Sequence, residues 1–207
     1  ASFLMAYIDE ITGLPGRRKL NDVLETFRKK YTIAMIDIDY FKKVNDTYGH
    51  EFGNVALKAI AKSLKDHSRK NNIIARYGGE EFCIVISGMK KDHAVKYAER
   101  LRNMVGALEF KTDKGERVKV TMSAGIITIE DAHSGDPTDF IKAADCALYR
   151  SKNTGRDKIS VFDKSLDKIN PPSLYQGNFL VNWQYDPEKN VYRRWRANKA
   201  EADRNNS

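Results

Sequence analysis

The stretch "IIARYGGEEFCIVIS", residues 73–87, decides how the sheet is built. Two apolar, β-prone runs, IIARY and EFCIVIS, flank a double glycine and a pair of glutamates. Strands joined by so short a connection pair antiparallel, because a parallel pair needs a crossover of roughly a dozen residues or more. Gly78 and Gly79 are expected to supply the positive φ of a tight hairpin. The turn presents two adjacent carboxylates, Glu80 and Glu81. On a regular strand these point to opposite faces, so only one would face a shared site unless the turn redirects the other.

Working outward, "TIAMIDID" (32–39) is apolar on both faces until Asp37, the pattern of a central strand covered on both sides. "RRKLNDVLETFRKK" (17–30) spaces Leu20, Val23, Leu24 and Phe27 as a helix. "GNVALKAIAKSLKDH" (53–67) reads as an amphipathic helix with Val55, Leu57, Ile60, Ala61 and Leu64 inward. "DHAVKYAERLRNMVGAL" (92–108) reads as another, capped by Asp92. "EFKTDKGERVKVTMSAGIITI" (109–129) holds a DKG turn and two strands. "DPTDFIKAADCALYRSKNTG" (136–155) is a helix stopped by Gly155, and "KISVF" (158–162) closes the sheet. The order β-α-β-β-α-β, with extra elements, predicts an α/β chain of the α+β type. Its centre would be a ferredoxin-like or palm-type, mainly antiparallel sheet flanked by helices.

Residues 1–163 form the expected domain. After Phe162 the character changes. "NPPS" breaks the chain, and "NFLVNWQY" and "VYRRWRA" then read as a hairpin turning at 186–190. "NKAEADRNNS" reads as a frayed tail, and the 164–207 extension is too small for a second core. The YRRWR run alternates aromatic and basic residues, as single-strand nucleic-acid binders do. The plainer reading is a surface strand with Trp183 and Trp195 packed across the hairpin. No nucleic-acid partner is expected.

The chain has 207 residues, 41% of them hydrophobic, enough for one domain with a real core. No apolar run approaches the roughly 18 residues that span a membrane. The opening "ASFLMAYIDE" lacks the basic start of a signal peptide and reads as a cut from a longer chain. Cys83 and Cys146 sit inside apolar patterns and read as reduced core residues, which fits a cytosolic compartment. The net charge of +8 is spread, with eight basic against five acidic residues in 164–207. It favours polyanionic ligands, nucleotides included.

Asp37 and Asp39 lie two apart on a strand and so share a face. "GHEFGN" (49–54) is a glycine-bearing helix start whose N–H groups suit an anion. Lys42, Lys43, Lys152 and Arg156 are candidate phosphate partners. Magnesium takes hard oxygen ligands, usually one or two carboxylates plus substrate phosphates. A strand-end Asp37 facing a hairpin-tip Glu80 makes such a clamp, one that offsets the charge of phosphoryl transfer.

Five segments now stand in order: "DEITGLPGRR" (9–18), "DIDYFKKVNDTYGHEFGN" (37–54), "ARYGGEEF" (75–82), "VTMSAGI" (120–126) and "ADCALYRSKNTGRDKI" (144–159). In order and spacing they resemble the GGDEF family of diguanylate cyclases, over about residues 9–162. The resemblance implies a nucleotidyl-cyclase-like fold. It implies condensation of two GTP into cyclic di-GMP, a bacterial second messenger, and two pyrophosphates, with two subunits facing each other. By the same resemblance, Asp37 and Glu80 bind magnesium, or manganese in its place, helped by the Ile38 carbonyl. Glu81 assists the metal site or the 3′-hydroxyl. Lys42, Lys152 and Arg156 hold the triphosphate, with backbone N–H groups near Tyr40 and Phe41. Asn45 and residue 54 read the guanine edge, and Leu57 packs near the base. A homodimer is implied for catalysis, together with an upstream sensor. The fragment is expected to be mostly monomeric until nucleotide pairs it.

Three departures from the family pattern matter. Asn54 stands where the family usually has Asp. Guanine offers two donors side by side, N1–H and N2–H₂, which a carboxylate accepts together. Asn has one acceptor and one donor group, a pattern that also suits adenine. GTP selectivity is expected to hold where Asn45 and one remaining hydrogen bond suffice; the alternative is a weakened selectivity that admits ATP and a mixed cyclic GMP-AMP product. The inhibitory R-x-x-D of the family is here "RKNN", with Arg69 retained, Asn72 in place of the acid and Arg100 as the secondary arginine of a degenerate inhibitory site. Gly16 replaces the usual Asn of "GLPNRR", with a small expected effect on the turn.

Overall fold

A computed structural model describes residues 7–167 and the backbone of 182–186 and 191–195. The elements run α1 (Arg17–Leu24), β1 (Tyr31–Ile38), α2 (Phe41–Tyr48), α3 (His50–Asp66), β2 (Ile73–Arg76) and β3 (Glu81–Ser87). They continue with α4 (Lys91–Gly106), β4 (Phe110–Lys111), β5 (Arg117–Val118), β6 (Met122–Ile129), α5 (Pro137–Asn153), β7 (Ile159–Val161) and α6 (Lys164–Asp167). β8 (Asn182–Asp186) and β9 (Val191–Trp195) follow.

β1 is buried at every residue, as its two-sided apolarity requires, and lies at the centre of a sheet ordered β2-β3-β1-β6-β7. It pairs antiparallel with both β3 and β6. Only β7, reached after α5, pairs parallel. The sheet is therefore mainly antiparallel and flanked by helices, as the sequence predicts. The period of two along β1 divides the core. Ala34, Ile36 and Ile38 pack with Leu57, Ile60 and Leu64 of α3 and Leu101 of α4. Ile33 and Met35 pack on the other face with Leu20 and Leu24 of α1 and Ala144 and Leu148 of α5. Asp37 shares the parity of Ile33 and Met35, so it faces α5 at the strand's end.

Several local expectations change. α1 stops at Leu24 rather than near residue 30. Thr26 turns its hydroxyl back to the Val23 carbonyl at 2.7 Å, and Phe27 stacks on Tyr31 with ring centroids 5.2 Å apart, which needs the chain to reverse. Val55 is 58% exposed. The inward face of α3 is Gly53, Ala56, Leu57, Ile60, Ala61 and Leu64, at spacings of three and four, and Val55 falls outside it. α4 begins one residue early, with Lys90 at the N-cap and Asp92 in the first turn, where its charge still favours the helix dipole. The DKG segment forms the two short strands β4 and β5 ahead of β6, and Gly115 there has φ +80°. β7 is an edge strand.

β8 and β9 pair antiparallel as expected for a hairpin. Their register sets Trp183 against Arg194 and Trp195 against Asn182, so the two tryptophans are not cross-strand partners. The NPPS break, the turn at 187–190 and the polar tail lie outside the described residues. No helix among the described residues is long and apolar enough to cross a membrane.

Candidate active site

The ladder sets Glu81, not Glu80, directly opposite Asp37. The turn nevertheless brings Glu80 round: its side chain hydrogen-bonds to Asp37, and the Ile38 N–H donates to the Glu80 carbonyl at 3.1 Å. The redirection comes from a tightly tied turn. The N–H groups of Tyr77 and Gly78 both donate to the Glu81 carbonyl, at 2.8 and 3.3 Å. Arg76 donates to the Gly79 carbonyl at 2.7 Å and to Asp9 at 2.9 Å. Neither Gly78 nor Gly79 has the positive φ expected of it. Gly78 instead allows a close approach: a Cβ there would lie 2.7 Å from Glu81 Oε1, and the end of that side chain would have to shift.

Asp37, Ile38, Asp39 and Glu80 line one wall of an open cavity of about 470 Å³, whose other walls are Tyr40–Lys43, Asp46, Lys152 and Arg156. Phe41, Lys42 and Lys43 are the first three residues of α2, whose N–H groups have no acceptor within the helix. The helix has no side-chain cap, so these donors face the cavity with the positive end of the dipole. Arg156 lies over the Tyr40 ring, 4.4 Å from its centroid. The GHEFGN stretch opens α3 at His50 with Gly49 as an N-cap and no side-chain cap, but its residues do not line this cavity. Gly49 N–H donates to the Asn45 carbonyl and Gly53 lies within α3, so the phosphate-facing helix start is that of α2.

The electrostatics are those of crowded acids. Burial pushes Asp37 above the usual carboxylate range, countered by Lys152, whose Nζ lies 2.7 Å from Asp37 Oδ2. Burial, then the charge of Asp37, pushes Glu80 up to about 7. Glu81 is raised by the same two causes. Two touching carboxylates of this kind, one of which holds its proton to neutrality, fit a divalent cation. Among the described residues no group of three or more His, Cys, Asp or Glu is placed to hold a metal. Asp37 and Glu80 are two hard oxygen donors, which could serve a cation that completes its shell with water and phosphate.

The chain matches the profile of the diguanylate cyclase GGDEF domain over residues 6–158. The chain belongs to the GGDEF family. Diguanylate cyclase DgcP of Pseudomonas aeruginosa is 38% identical over 163 residues, 75% of this chain and 24% of DgcP. Diguanylate cyclase DgcZ of Escherichia coli is 34% identical, over 76% of this chain and 54% of DgcZ. The GGDEF domain thus spans between about a quarter and about half of these relatives. The GGDEF domain of DgcB from Caulobacter crescentus, solved in complex with c-di-GMP, superposes with a TM-score of 0.69 at 28% identity, covering 76% of this chain and 94% of that one.

Within this GGDEF domain the candidate base-reading residues lie apart from the cavity. Asn45 on α2 packs against Gly53 of α3, where a Cβ would fall 1.8 Å from its Oδ1, and that buried oxygen has no partner. Asn54 is the next residue along and is half-buried, while Leu57 is 2% exposed and belongs to the core. Arg69 and Arg100 are both exposed, and Arg100 lies over the Tyr97 ring at 5.4 Å. Asn72 has a buried Nδ2 without a partner. One buried acid beside the site escaped the sequence reading. Asp145 of α5 is 1% exposed, and burial, then Glu81, raises it well above the usual range. Its signal was a carboxylate on the apolar face of α5, seven residues before Lys152 and so on the same side.

Proposed function

We propose that this GGDEF domain condenses two GTP into cyclic di-GMP and two pyrophosphates as half of a homodimer. The observation that carries the reading is one cavity joining the Asp37–Glu80 pair to Lys42, Lys152, Arg156 and the start of α2. Asp37 and Glu80, with the Ile38 carbonyl, would hold magnesium, which when bound offsets phosphate charge and orients the α-phosphate. The N–H groups of Phe41–Lys43 and the Lys42 ammonium take the outer phosphates. Lys152 exchanges its carboxylate partner for phosphate oxygen, and Arg156 slides from the Tyr40 ring onto the same chain of oxygens. The 3′-hydroxyl of each GTP then attacks the α-phosphate of the other, forming a P–O bond as pyrophosphate leaves. Glu81, opposite Asp37 on the ladder and outside the cavity lining, assists the metal site or the 3′-hydroxyl from there. One such cavity serves one GTP, so a rate rising more steeply than linearly with enzyme is expected.

Product identification by mass, after incubation with magnesium and equal GTP and ATP, tests the reading. Cyclic di-GMP is expected as the main product, with cyclic GMP-AMP beside it. Absence of any cyclic dinucleotide would leave a nucleotide-binding regulatory module in place of the enzyme. The mixed product rests on Asn54. Asn54→Asp is expected to raise the GTP over ATP preference about tenfold, the worth of one hydrogen bond near 1.4 kcal/mol. An unchanged ratio would remove residue 54 from base reading.

Feedback is expected to be weak. Arg69 and Arg100 offer charge for a dinucleotide phosphate, while Asn72 has lost the carboxylate that would accept from guanine. Titration of cyclic di-GMP should show inhibition only well above micromolar product, tightened by Asn72→Asp. Sub-micromolar inhibition of the unmodified chain would contradict this.

A further inference from the structure

Three non-glycine residues among those described have positive φ: Tyr40 at 54°, Arg156 at 61° and Asp157 at 46°. Backbone of this kind persists only where its surroundings hold it. All three belong to two loops that meet at the cavity, the β1–α2 junction and the α5–β7 turn. What joins them is a chain of polar groups that runs from the buried Asp39 to the exposed Asp157. Asp39, 4% exposed, precedes Tyr40. Its carboxylate accepts from Thr121 Oγ1 and Ser123 Oγ, both at 2.7 Å, and from the Asp157 N–H at 2.9 Å. Asp157 in turn is gripped by Arg102 of α4, which donates to its carboxylate at 2.7 Å and its carbonyl at 3.2 Å. Arg102 is itself aimed by Glu99, through two hydrogen bonds of 2.9 and 2.8 Å.

We infer that Arg102 and Asp157 are positioning residues for the triphosphate. Between Asp39 on one side and Arg102 on the other, the α5–β7 turn is clamped at Asp157, and Arg156 is thereby fixed over the Tyr40 ring at the mouth of the cavity. Neither residue lines the cavity. Both act through Arg156, whose planar guanidinium gives directional phosphate contacts only when its backbone is held. The turn has alternative support from Ser151, whose carbonyl accepts the Arg156 N–H at 3.0 Å, so loss of Arg102 loosens the loop without unfolding α5. The same helix α4 carries Arg100 at the degenerate inhibitory site.

The inference rests on the nucleotide reading above, and the experiment separates the two. Binding of a GTP analogue with a non-cleavable α–β bridge, with magnesium, is measured by calorimetry on the full chain. The variants are Arg102→Ala, Asp157→Asn (Asn tolerates the left-handed backbone), Arg156→Ala and the Arg102→Ala/Arg156→Ala double. Arg102→Ala and Asp157→Asn are each expected to weaken binding about five- to tenfold, with Arg102→Lys partly restoring it. In the Arg156→Ala background the Arg102 change is expected to cost less than about twofold more, because the group it positions is gone. Unchanged affinity in Arg102→Ala, or a full additional loss in the double variant, would overturn the inference while leaving the nucleotide reading intact. Failure of the unmodified chain to bind the analogue would overturn both.

Discussion

Glu80→Gln is expected to lower turnover by on the order of 10²–10³-fold while leaving the fold in place. Gln matches Glu in shape and can still hydrogen-bond to Asp37, so the turn keeps its ties through Arg76, Ile38 and the Glu81 carbonyl. What goes is one of two anionic ligands and the crowding it causes. The metal-free protein should report that crowding directly. Glu80 titrates near 7 in the folded chain against an ordinary value of 4.5, because burial and Asp37 oppose its charge. The folded state then holds this proton more tightly than the unfolded state. Its contribution to stability is fully present below about pH 4.5 and is lost as pH rises through about 7. Without magnesium, the melting temperature of the unmodified chain should fall between pH 5 and 8 by more than that of Glu80→Gln. Added magnesium should reverse the fall in the unmodified chain, with affinity rising through neutrality as the proton is displaced. Turnover of Glu80→Gln within tenfold of the unmodified chain would remove Glu80 from the metal site. Equal pH slopes in the two proteins would remove the crowding.

The features legible in the sequence were those that one element imposes by itself. A strand apolar on both faces must be central, and β1 is. Two β-prone runs joined by GGE must pair antiparallel, and β2 and β3 do. Asp37 was placed at a strand end, because its charge interrupts the buried run. Features that depend on how two elements meet were not legible. Positive φ at Gly78 and Gly79 is one solution to a tight turn. The chain uses another, in which Arg76 and two N–H groups tie the turn and Gly78 leaves room for the Glu81 side chain. Lys152 could be assigned to phosphate from its position near a helix end, but its contact with Asp37 spans 115 residues and depends on how α5 lies over β6. Arg102 and Asp157, 55 apart, likewise carry no local signal. Val55 shows the limit of helical periodicity: an apolar residue can lie just off the inward stripe.

How α5 lies over β6 can itself be tested, because it turns on one missing side chain. Gly125 sits in β6 with ordinary backbone, so its conformation does not require glycine. Its surroundings do. A Cβ there would fall 2.1 Å from both the Ala144 carbonyl oxygen and the Leu148 nitrogen, and 2.8 Å from the Ala147 carbonyl carbon. All three are backbone atoms of α5, which cannot rotate aside as a side chain does, so Gly125→Ala must lift the helix from the sheet. The lift breaks the interdigitation of Ala144 and Leu148 with Ile33 and Met35, and it strains the buried bonds from Ser151 Oγ to the Ala124 carbonyl at 2.9 Å and to Ser160 Oγ at 2.6 Å. We expect a loss of about 3 kcal/mol, at the upper end of overpacking costs, seen as a lower urea midpoint. Lys152 lies one residue beyond Ser151, so any folded remainder should also bind nucleotide poorly. Gly106→Ala is the control. It ends α4 with nothing within 4 Å of the added Cβ, and it should be neutral or slightly stabilising. If Gly125→Ala melted within about 2 °C of the unmodified chain, the helix would be free to shift on the sheet. The reach of Lys152 to Asp37 would then need some other support than the close seat at Gly125.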